Sequence, residues 1–506
     1  MTAAGQSATI LIRGGRIYDH DGDVHQPATG DLLVSAGRIE RIAPRIDAPA
    51  GAKVIDASNK LVVPGLVNAH YHSHDVLMKG MFEEAPFDIW TSYTGAAGYG
   101  TRTHREVRIR TLIGAAEMLR NGITTVQDFL TVYPVEDAYV DTVLSAYDEA
   151  GIRVNFAIAA RDKSQLDIAP LMARDLPEPI RDRIFGKPGR TAQQELDFVA
   201  GQIKRLGMKP RPLITWALAP SAPQRCTPEL LAGMAALSRD HKLPVFTHVY
   251  ETRPQAAAAK VQSISLLELL KTAGLLNERL NLVHGVWLSP GDIEMLASAR
   301  ARVVHNPISN LKLKSGAAPI LDLTKAGVDV ALGCDNYSCA ETQNIFIAMR
   351  MLCLLPAITS PEPHPVTAAH ALKAATLTGA KAVNMEGQIG ALKPGMAADL
   401  MILDLKEPAF VPFNSAARQL VFSESGGAID TVLVGGRPVV RGHKLLTVDE
   451  ATLAVEAEEI SPGFRREVEA QIKRNADLVA PLLDGNREAW KTQLGIARYV
   501  GGPRDS

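Results

Sequence analysis

The stretch "VVPGLVNAHYHSHDVLMKG" at residues 62–80 decides the fold prediction. An apolar run that is typical of a buried strand leads into three histidines at alternate positions, His70, His72 and His74. Residues two apart on an extended strand face the same side, so the three imidazoles are expected to project together. Neutral imidazole is the commonest nitrogen ligand of metal ions in proteins. The stretch therefore favours a metal site at the end of a strand, with a chance cluster at a solvated strand end as the alternative.

Seven further apolar runs follow, most of them separated by helical patterns such as 105–122 and 290–300. Strands that alternate with helices indicate a parallel sheet built from βαβ units. The eight predicted strands are 65–72, 123–129, 153–159, 213–220, 244–251, 280–286, 301–307 and 328–336. Eight such strands favour an α/β fold of the (β/α)8 TIM-barrel type, although periodicity alone leaves a doubly wound sheet open.

Short strands and glycine-rich turns occupy both ends of the chain. Each end alone is too short to close a core, so we expect one small β-sandwich-like domain assembled from both ends. The predicted division is 1–63 and 387–450 for this domain, 64–386 for the barrel and 451–506 for a helical tail. The sequence leaves open whether the tail is solvated or contacts another subunit. The long polar connection at 161–191 is expected to be functional or flexible.

Charge and cysteine content restrict the partners and the compartment. Lys and Arg total 54 against 55 Asp and Glu, a balance that argues against a nucleic-acid partner. Four cysteines without a CxxC spacing or a disulfide framework favour a reducing cytoplasm. The chain shows no signal-peptide pattern and no apolar run near the ~20 residues of a membrane helix, so we expect a soluble cytoplasmic protein with no membrane partner.

Polar residues collect where the predicted strands end. In a barrel, these carboxyl ends form the active-site face, so residues distant in sequence converge there. The residues concerned are His70, His72, His248, His284, His305 and Asp335. His70, His72, His248 and Asp335 offer the nitrogen and oxygen donors of a mononuclear metal site. His284 and Glu251 remain as titratable groups for proton transfer, against the alternative that His284 is a satisfied core histidine.

Five ordered motifs carry a family resemblance: "PGLVNAHYH", "FTHVYET", "LVHGVWLS", "VVHNPISNLKLKSG" and "VALGCDN". Over residues 8–450 the chain resembles the amidohydrolase superfamily. With "GALKPGMAADLMILD" it looks most like the mononuclear aminohydrolase branch, which holds triazine hydrolases (ATZ/TRZ-type) and methylthioadenosine/S-adenosylhomocysteine deaminases. The resemblance implies a barrel with a β-sandwich-like side domain and one divalent metal, zinc first and iron second. Binuclear relatives carry a metal-bridging lysine on the fourth strand, which "LITWALAP" lacks.

The resemblance also implies a mechanism. A metal ion lowers the pKa of its bound water towards ~7, Asp335 accepts the proton, and His284 orients the water. Glu251 protonates a ring nitrogen of the substrate, and ammonia or an amine leaves. The leading hypothesis is deamination of a nitrogen heterocycle such as a purine, pterin or triazine, by a homodimer or homotetramer. The alternatives are hydrolysis of an aryl amide, urea or carbamate by the same chemistry, and a non-catalytic scaffold, which the filled ligand positions disfavour.

Predicted substrate contacts lie mainly after the first strand. His74 extends the usual H-x-H pattern and is interpreted as a substrate contact or as an ordinary exposed histidine. The other candidates are Phe82, Phe87, Trp90, Tyr93 and Tyr99, which could stack on a flat ring or simply pack, and His305 with Asn306. The acidic residues Asp75, Glu83, Glu84 and Asp88 predict a neutral or weakly basic substrate rather than an anionic one.

Overall fold

The fold is seen in a computed structural model, which describes residues 9–500 apart from 96–100, 164–165, 173–176, 186–188, 361–362 and 364. The strands in chain order are β1 (Ile10–Ile17), β2 (Thr29–Ser35), β3 (Arg38–Ala43), β4 (Lys53–Asp56), β5 (Lys60–Pro64), β6 (Leu66–Tyr71), β7 (Ile123–Leu130), β8 (Arg153–Ala160), β9 (Ile214–Trp216), β10 (Ala219–Pro220), β11 (Val245–Val249), β12 (Leu280–His284), β13 (Arg302–His305), β14 (Val330–Leu332), β15 (Leu400–Asp404), β16 (Ile429–Val434), β17 (Arg437–Arg441) and β18 (Lys444–Leu445).

The described chain also contains α-helices between and after these strands. They are α1 (Phe87–Thr94), α2 (His104–Arg120), α3 (Asp137–Ala150), α4 (Glu178–Phe185), α5 (Ala192–Met208), α6 (Pro228–His241), α7 (Arg253–Val261), α8 (Leu266–Thr272), α9 (Pro290–Ala299), α10 (Pro307–Lys312), α11 (Ile320–Lys325), α12 (Tyr337–Ala340), α13 (Ile345–Leu354), α14 (Ala368–Lys373), α15 (Gly379–Ala382), α16 (Ala416–Phe422), α17 (Glu450–Arg474) and α18 (Val479–Lys491). None of these described helices is both long enough and apolar enough to cross a lipid bilayer.

Strands β6 to β14 form a closed ring of parallel strands. The order runs β6-β7-β8 with the short β9 and β10 beside β8, and then β11-β12-β13-β14. Two parallel bridges, Leu218 with Val245 and Tyr71 with Asp335, join the two halves. The predicted TIM-type barrel of α/β content is therefore confirmed, and each predicted strand has its counterpart, the fourth divided between β9 and β10.

The barrel strands form because both of their faces are covered. Every residue of β6 and β7 is buried, which is why parallel strands of this kind appear as continuous apolar runs in the sequence. The side chains of Val67, Phe129, Phe246 and Val283 belong to one buried cluster contributed by different barrel strands. On the outside, Thr103 caps α2 with a capping box, and this fixes where the helix begins after the loop.

A nine-stranded sheet combines strands from both ends of the chain, in the order β18-β17-β16-β15-β5-β1-β2-β3 with β4 beside β1. The two ends meet where β15 pairs antiparallel with β5, with Ile402 opposite Val62. A buried ion pair ties this sheet to the barrel: Arg153 donates from Nε and Nη2 to the two oxygens of Asp399 at 2.9 and 3.0 Å.

The C-terminal helices pack over the segment that follows β6. Phe464 and Val468 of α17 contact Met78, and Leu482 of α18 packs with Ile89 of α1. The tail therefore lies at the carboxyl end of the barrel, next to the segment in which substrate contacts are predicted.

Candidate active site

His72 and His248 are both oriented by a hydrogen bond at Nδ1, which leaves Nε2 facing the centre of the barrel. Nδ1 of His72 lies 2.6 Å from the carbonyl oxygen of Phe129, and Nδ1 of His248 lies 2.7 Å from that of Ser221. Since a carbonyl only accepts, each Nδ1 carries the proton, and each Nε2 keeps a free lone pair. A backbone carbonyl on the second ring nitrogen is the usual way in which a metal-binding histidine is oriented.

Asp335 lies within reach of three histidines. Its Oδ1 is 3.6 Å from Nε2 of His70 and 3.4 Å from Nε2 of His72, and its Oδ2 is 3.7 Å from Nε2 of His284. Donor atoms of His70, His72 and His248 all lie within 4.8 Å of one another, and so do those of His70, His284 and Asp335. The structure thus brings together every residue that the sequence nominated for the metal and for its water.

The donor set fits a divalent metal. Nε2 of His70 is completely buried and has no hydrogen-bond partner in the described structure, an expensive arrangement unless a metal occupies the lone pair. Burial lowers the pKa values of His70, His72 and His248, and the neighbouring imidazoles lower those of His70 and His248 further. The three rings are therefore neutral, the form in which imidazole binds metal ions.

The backbone around Asp335 is strained and tightly packed. Asp335 has φ of 71°, in the left-handed region that non-glycine residues seldom adopt. Its amide donates to the carbonyl of His70 at 2.9 Å. Gly333 makes this approach possible, because a Cβ there would meet Asn306 Oδ1 at 2.2 Å and His70 Cβ at 2.8 Å. Ser309 Oγ then donates to Asp335 Oδ2 at 2.6 Å and fixes the carboxylate.

His284 and Glu251 form the proton-transfer side of the site. Nε2 of His284 is 3.7 Å from Oε1 of Glu251, and Nδ1 is 2.8 Å from the side-chain oxygen of Asn310. His284 also has φ of 71° at the end of β12. Burial raises the pKa of Glu251 to about 7, against the lowering influence of His284. A carboxyl with this pKa can exist as an acid near neutral pH, which suits a group that donates a proton to a substrate.

The buried carboxylate of Asp128 shapes the chain after β6. Asp128 accepts from the amide and hydroxyl of Ser73 at 3.0 and 2.7 Å, which draws the chain into a 3-10 helix at Ser73–Met78. The alternation of the strand therefore ends at Tyr71, and His74 stands on that helix. His74 therefore does not continue the strand, although its ring lies 5.3 Å from that of His72 and both residues line the same cavity.

Two cavities adjoin the site. The inner cavity has a volume of about 80 Å³. It is lined by Phe87 and Arg225 together with the proposed catalytic and metal-binding residues His72, His248, Glu251, His284 and Asp335. The outer one, of about 430 Å³, is lined on one side by Arg161, Arg190 and Gln471. His74 and Trp90 line both cavities, so the two spaces meet at these side chains.

The other predicted contacts lie elsewhere. The rings of Phe82 and Tyr93 stack on each other with their centroids 6.3 Å apart, and neither residue lines the inner or the outer cavity. His305 and Asn306 are fully buried, with Asn306 Nδ2 3.5 Å from Nδ1 of His284. Tyr99 lies outside the described residues. Their role as substrate contacts stays a prediction.

The acidic residues after β6 do not line these cavities either. Asp75 is buried and accepts from the amides of Tyr337 and Ser338 at 3.1 and 3.0 Å, so it holds α12 in place. Asp88 is buried, and burial raises its pKa to about 7. These acidic residues therefore give no information on the charge of the substrate. A neutral or weakly basic substrate stays a prediction.

Sequence reasoning missed the residues that hold the site together. Ser309 and Asn310 stood in the quoted motif "VVHNPISNLKLKSG", where a buried polar pair next to a strand end was a usable signal. Ser221 acts through its carbonyl, which no side-chain pattern reveals. Arg225 depends on a long-range partner, Asp167, and no local pattern identifies that pairing.

The fold and this site define a barrel hydrolase of the metal-dependent kind, and comparison with known proteins gives the family. The model of the amidohydrolase family matches residues 61–439. The chain belongs to the amidohydrolase family, and it is an enzyme that hydrolyses carbon–nitrogen bonds.

Curated relatives match nearly the whole chain. A 5-methylthioadenosine/S-adenosylhomocysteine deaminase from Pyrococcus furiosus is 32% identical over 452 residues, which cover 87% of this chain and 97% of that protein. A 5'-deoxyadenosine deaminase from Methanothermobacter thermautotrophicus is 30% identical over 443 residues, which cover 87% of this chain and 95% of that protein. Among solved structures, an adenosine deaminase from Xanthomonas campestris with bound zinc has a TM-score of 0.77 at 25% identity, with 92% of this chain and 99% of that chain covered.

Proposed function

We propose that this protein deaminates an amino-substituted nitrogen heterocycle and uses one divalent metal held by His70, His72, His248 and Asp335. A purine is the first substrate class to test, since the relatives named above deaminate adenosine-like compounds. Zinc is the proposed metal, in line with the zinc-bound deaminase of similar fold.

One observation carries the proposal. Three neutral imidazoles and one carboxylate converge at the carboxyl end of the barrel, and a protonatable carboxyl and a fourth imidazole stand beside them. A structural role for six such buried groups would leave polar atoms such as His70 Nε2 without a partner at a considerable cost. A metal, a water and a substrate account for all of them.

The roles follow from the geometry. The metal, when bound, activates water as a nucleophile at neutral pH. Asp335 takes a proton from the attacking water, because its Oδ2 is held by Ser309 and faces His284. His284 orients the water and stabilises the oxygen on which negative charge develops. Glu251 protonates a ring nitrogen, takes up the hydroxyl proton of the water adduct and passes it to the departing amine. The proton held by Asp335 then restores Glu251, so that water and the amino compound become a carbonyl product and ammonia.

The cavities support a ring-sized substrate with a substituent. Trp90 and Phe87 offer flat apolar surfaces near the catalytic groups, and such surfaces suit a heterocycle. The larger outer cavity begins at Trp90 and His74 and has room for a group attached to the ring.

We further propose that the nine-stranded sheet acts as a separate small domain, with divisions near 63, 386 and 450. The pairing of β15 with β5 supports this division, since it joins the two ends of the chain outside the barrel. A homodimer or homotetramer and a cytoplasmic location stay predictions.

The test is an ammonia-release assay on purified protein with metal content measured in parallel. The panel contains adenosine, 5'-deoxyadenosine, free purine and pterin amines and an aminotriazine, with an aryl amide and an aryl urea as competitors. Ammonia from a heterocycle, with about one metal per chain, supports the proposal. Turnover only of the amide or urea would replace deamination by the alternative hydrolysis.

A further inference from the structure

Arg225 is a buried cation at the inner cavity that the mechanism above does not use. Its side chain is 4% exposed, and it forms an ion pair with the equally buried Asp167. Nε donates to Asp167 Oδ1 at 2.9 Å, and Nη2 donates to Oδ2. The guanidinium carbon lies over the ring of Phe87, 5.4 Å from the ring centroid, a cation–π contact that helps to hold the side chain.

The loop that carries Arg225 is also fixed. It runs from Ser221, whose carbonyl orients His248, through a short 3-10 helix at Pro223–Arg225. Thr227 then donates from its amide to Asp162 at 2.7 Å. Arg225 is therefore anchored in the same rigid segment that positions a proposed metal ligand.

One nitrogen of this guanidinium has no hydrogen-bond partner among the described residues. Nε and Nη2 are committed to Asp167, and no acceptor in the described part of the chain bonds to Nη1. Arg225 lines the inner cavity together with Glu251, His284 and Asp335, so Nη1 is the end left for whatever fills that cavity. A charged donor without an acceptor at a buried site calls for an oxygen on the ligand.

We propose that Arg225 determines specificity by donating from Nη1 to an exocyclic oxygen on the ring of the substrate. The proposal rests on the deaminase function above and narrows its substrate class to oxo-substituted amino heterocycles. Glu251 and Arg225 would then bind one edge of the ring, the first at a ring nitrogen and the second at a carbonyl oxygen. A site built to hydrogen-bond such an oxygen discriminates strongly against the analogue that lacks it, because its buried donor is then left unpaired.

The test uses two substrate pairs whose members differ by one exocyclic oxygen and keep the same amino group: isoguanine against adenine, and guanine against 2-aminopurine. The enzyme is the full-length metal-loaded protein, and the readout is kcat/KM for ammonia release. Wild-type protein is expected to favour the oxo member of at least one pair by on the order of 10–100-fold. Arg225→Met with Asp167→Asn removes the donor without leaving a buried carboxylate unpaired.

A matched control exists in the same chain. Arg153 and Asp399 form the same two-bond buried pair but join the barrel to the nine-stranded sheet, away from the cavities. Arg153→Met with Asp399→Asn therefore reports the generic effect of losing such a pair. The Arg225 variant should lose the preference for the oxo member, so that kcat/KM for the two members of a pair differs by less than about 3-fold, whereas the control should keep the preference.

Four results would overturn the proposal. The first is a higher kcat/KM of wild-type protein for the oxygen-free members, and the second is an Arg225 variant that slows both members of a pair equally. The third is a control variant that loses the same preference. The fourth is an Arg225 variant that loses more kcat/KM on adenosine than on adenine, which would place Nη1 at a sugar. Each of these leaves the deaminase function standing. Absence of ammonia from every heterocycle would instead refute the proposed function, and the Arg225 proposal with it. The wild-type preference decides the matter even where a variant does not fold.

Discussion

Ser309 and Asp335 form the shortest link between α10 and the proposed metal site: the serine hydroxyl donates to Asp335 Oδ2 at 2.6 Å, and both side chains are buried. Oδ1 of the same carboxylate is bonded by the amide of Asn336 at 2.9 Å and also faces His70 and His72. The two oxygens of Asp335 thus have different neighbours, and Ser309 keeps them from exchanging places.

Removing this hydroxyl should weaken the site without destroying it. We expect Ser309→Ala to lower kcat or metal affinity by about 10–100-fold, the usual effect of losing a group that orients a metal ligand. Steady-state kinetics at saturating metal and a metal titration measure the two effects. Ser289→Ala removes a similar serine–carboxylate bond of 2.6 Å, at the start of α9, and should leave both unchanged.

Asp335 itself is expected to be essential. Asp335→Asn should lower kcat by at least ~10³-fold, because an amide cannot accept a proton from water. The measurement is the ammonia-release rate at saturating metal, compared with metal content per chain. A fully metallated variant with a near-normal rate would remove Asp335 from proton transfer.

Glu251 should control the alkaline side of the pH profile. Burial raises the pKa of Glu251 to about 7, so the carboxyl is protonated below that pH and loses its proton as the pH rises through it. If the protonated form donates to the ring, kcat/KM falls above about pH 7. Glu251→Gln should lower the rate by ~10²–10⁴-fold with metal still bound, and the remaining activity should lack this alkaline decline.

Much of the barrel could be predicted from sequence because its strands are covered on both faces. β7 and β12 appear as apolar runs for that reason, and the polar residues at their carboxyl ends are then conspicuous. His284 and Asp335 could be nominated on this basis alone. The convergence of the histidines needed only the rule that barrel strands share one active-site end.

The parts that the sequence could not supply depend on contacts between distant residues. The end of β6 at Tyr71 is set by Asp128, which lies 55 positions from Ser73. Alternation alone therefore could not show that His74 lies on a 3-10 helix. The pairing of Arg225 with Asp167 spans 58 positions and lies in a polar connection without periodicity. Phe82 stacks on Tyr93 and also packs against α17, a contact that no local pattern could place.

Metal removal tests the proposed donor set directly. Prolonged dialysis against a chelator should abolish activity, and about one equivalent of zinc or iron per chain should restore it. His72→Ala should bind metal more weakly, whereas His104→Ala, on the exposed face of α2, should behave as wild type. A requirement for two equivalents would contradict a mononuclear site.

Gly333 offers a test of how closely the last barrel strand must approach the first. A methyl group there would lie 2.2 Å from Asn306 Oδ1, 2.8 Å from His70 Cβ and 3.0 Å from the His70 backbone nitrogen. Two of these atoms belong to β6, so a shift of the Asn306 side chain is not sufficient, and the strand that carries His70 must also move apart from the segment that carries Gly333 and Asp335. We expect Gly333→Ala to lower the free energy of unfolding by about 1–3 kcal/mol, as overpacking of a core does.

The same displacement should affect catalysis more than stability. A shift of about 1 Å between reacting groups can cost on the order of 10²-fold in rate, so kcat of Gly333→Ala should fall by about that factor at saturating metal. Gly201→Ala is the matched control, because Gly201 lies inside α5 with nothing within 4 Å of an added Cβ. That substitution should raise the free energy of unfolding by roughly 0.5–1 kcal/mol, through helix propensity, and leave kcat unchanged. Urea unfolding and ammonia-release kinetics on both variants measure the two effects, and normal kcat in Gly333→Ala would show that the spacing of His70 and Asp335 tolerates the added methyl group.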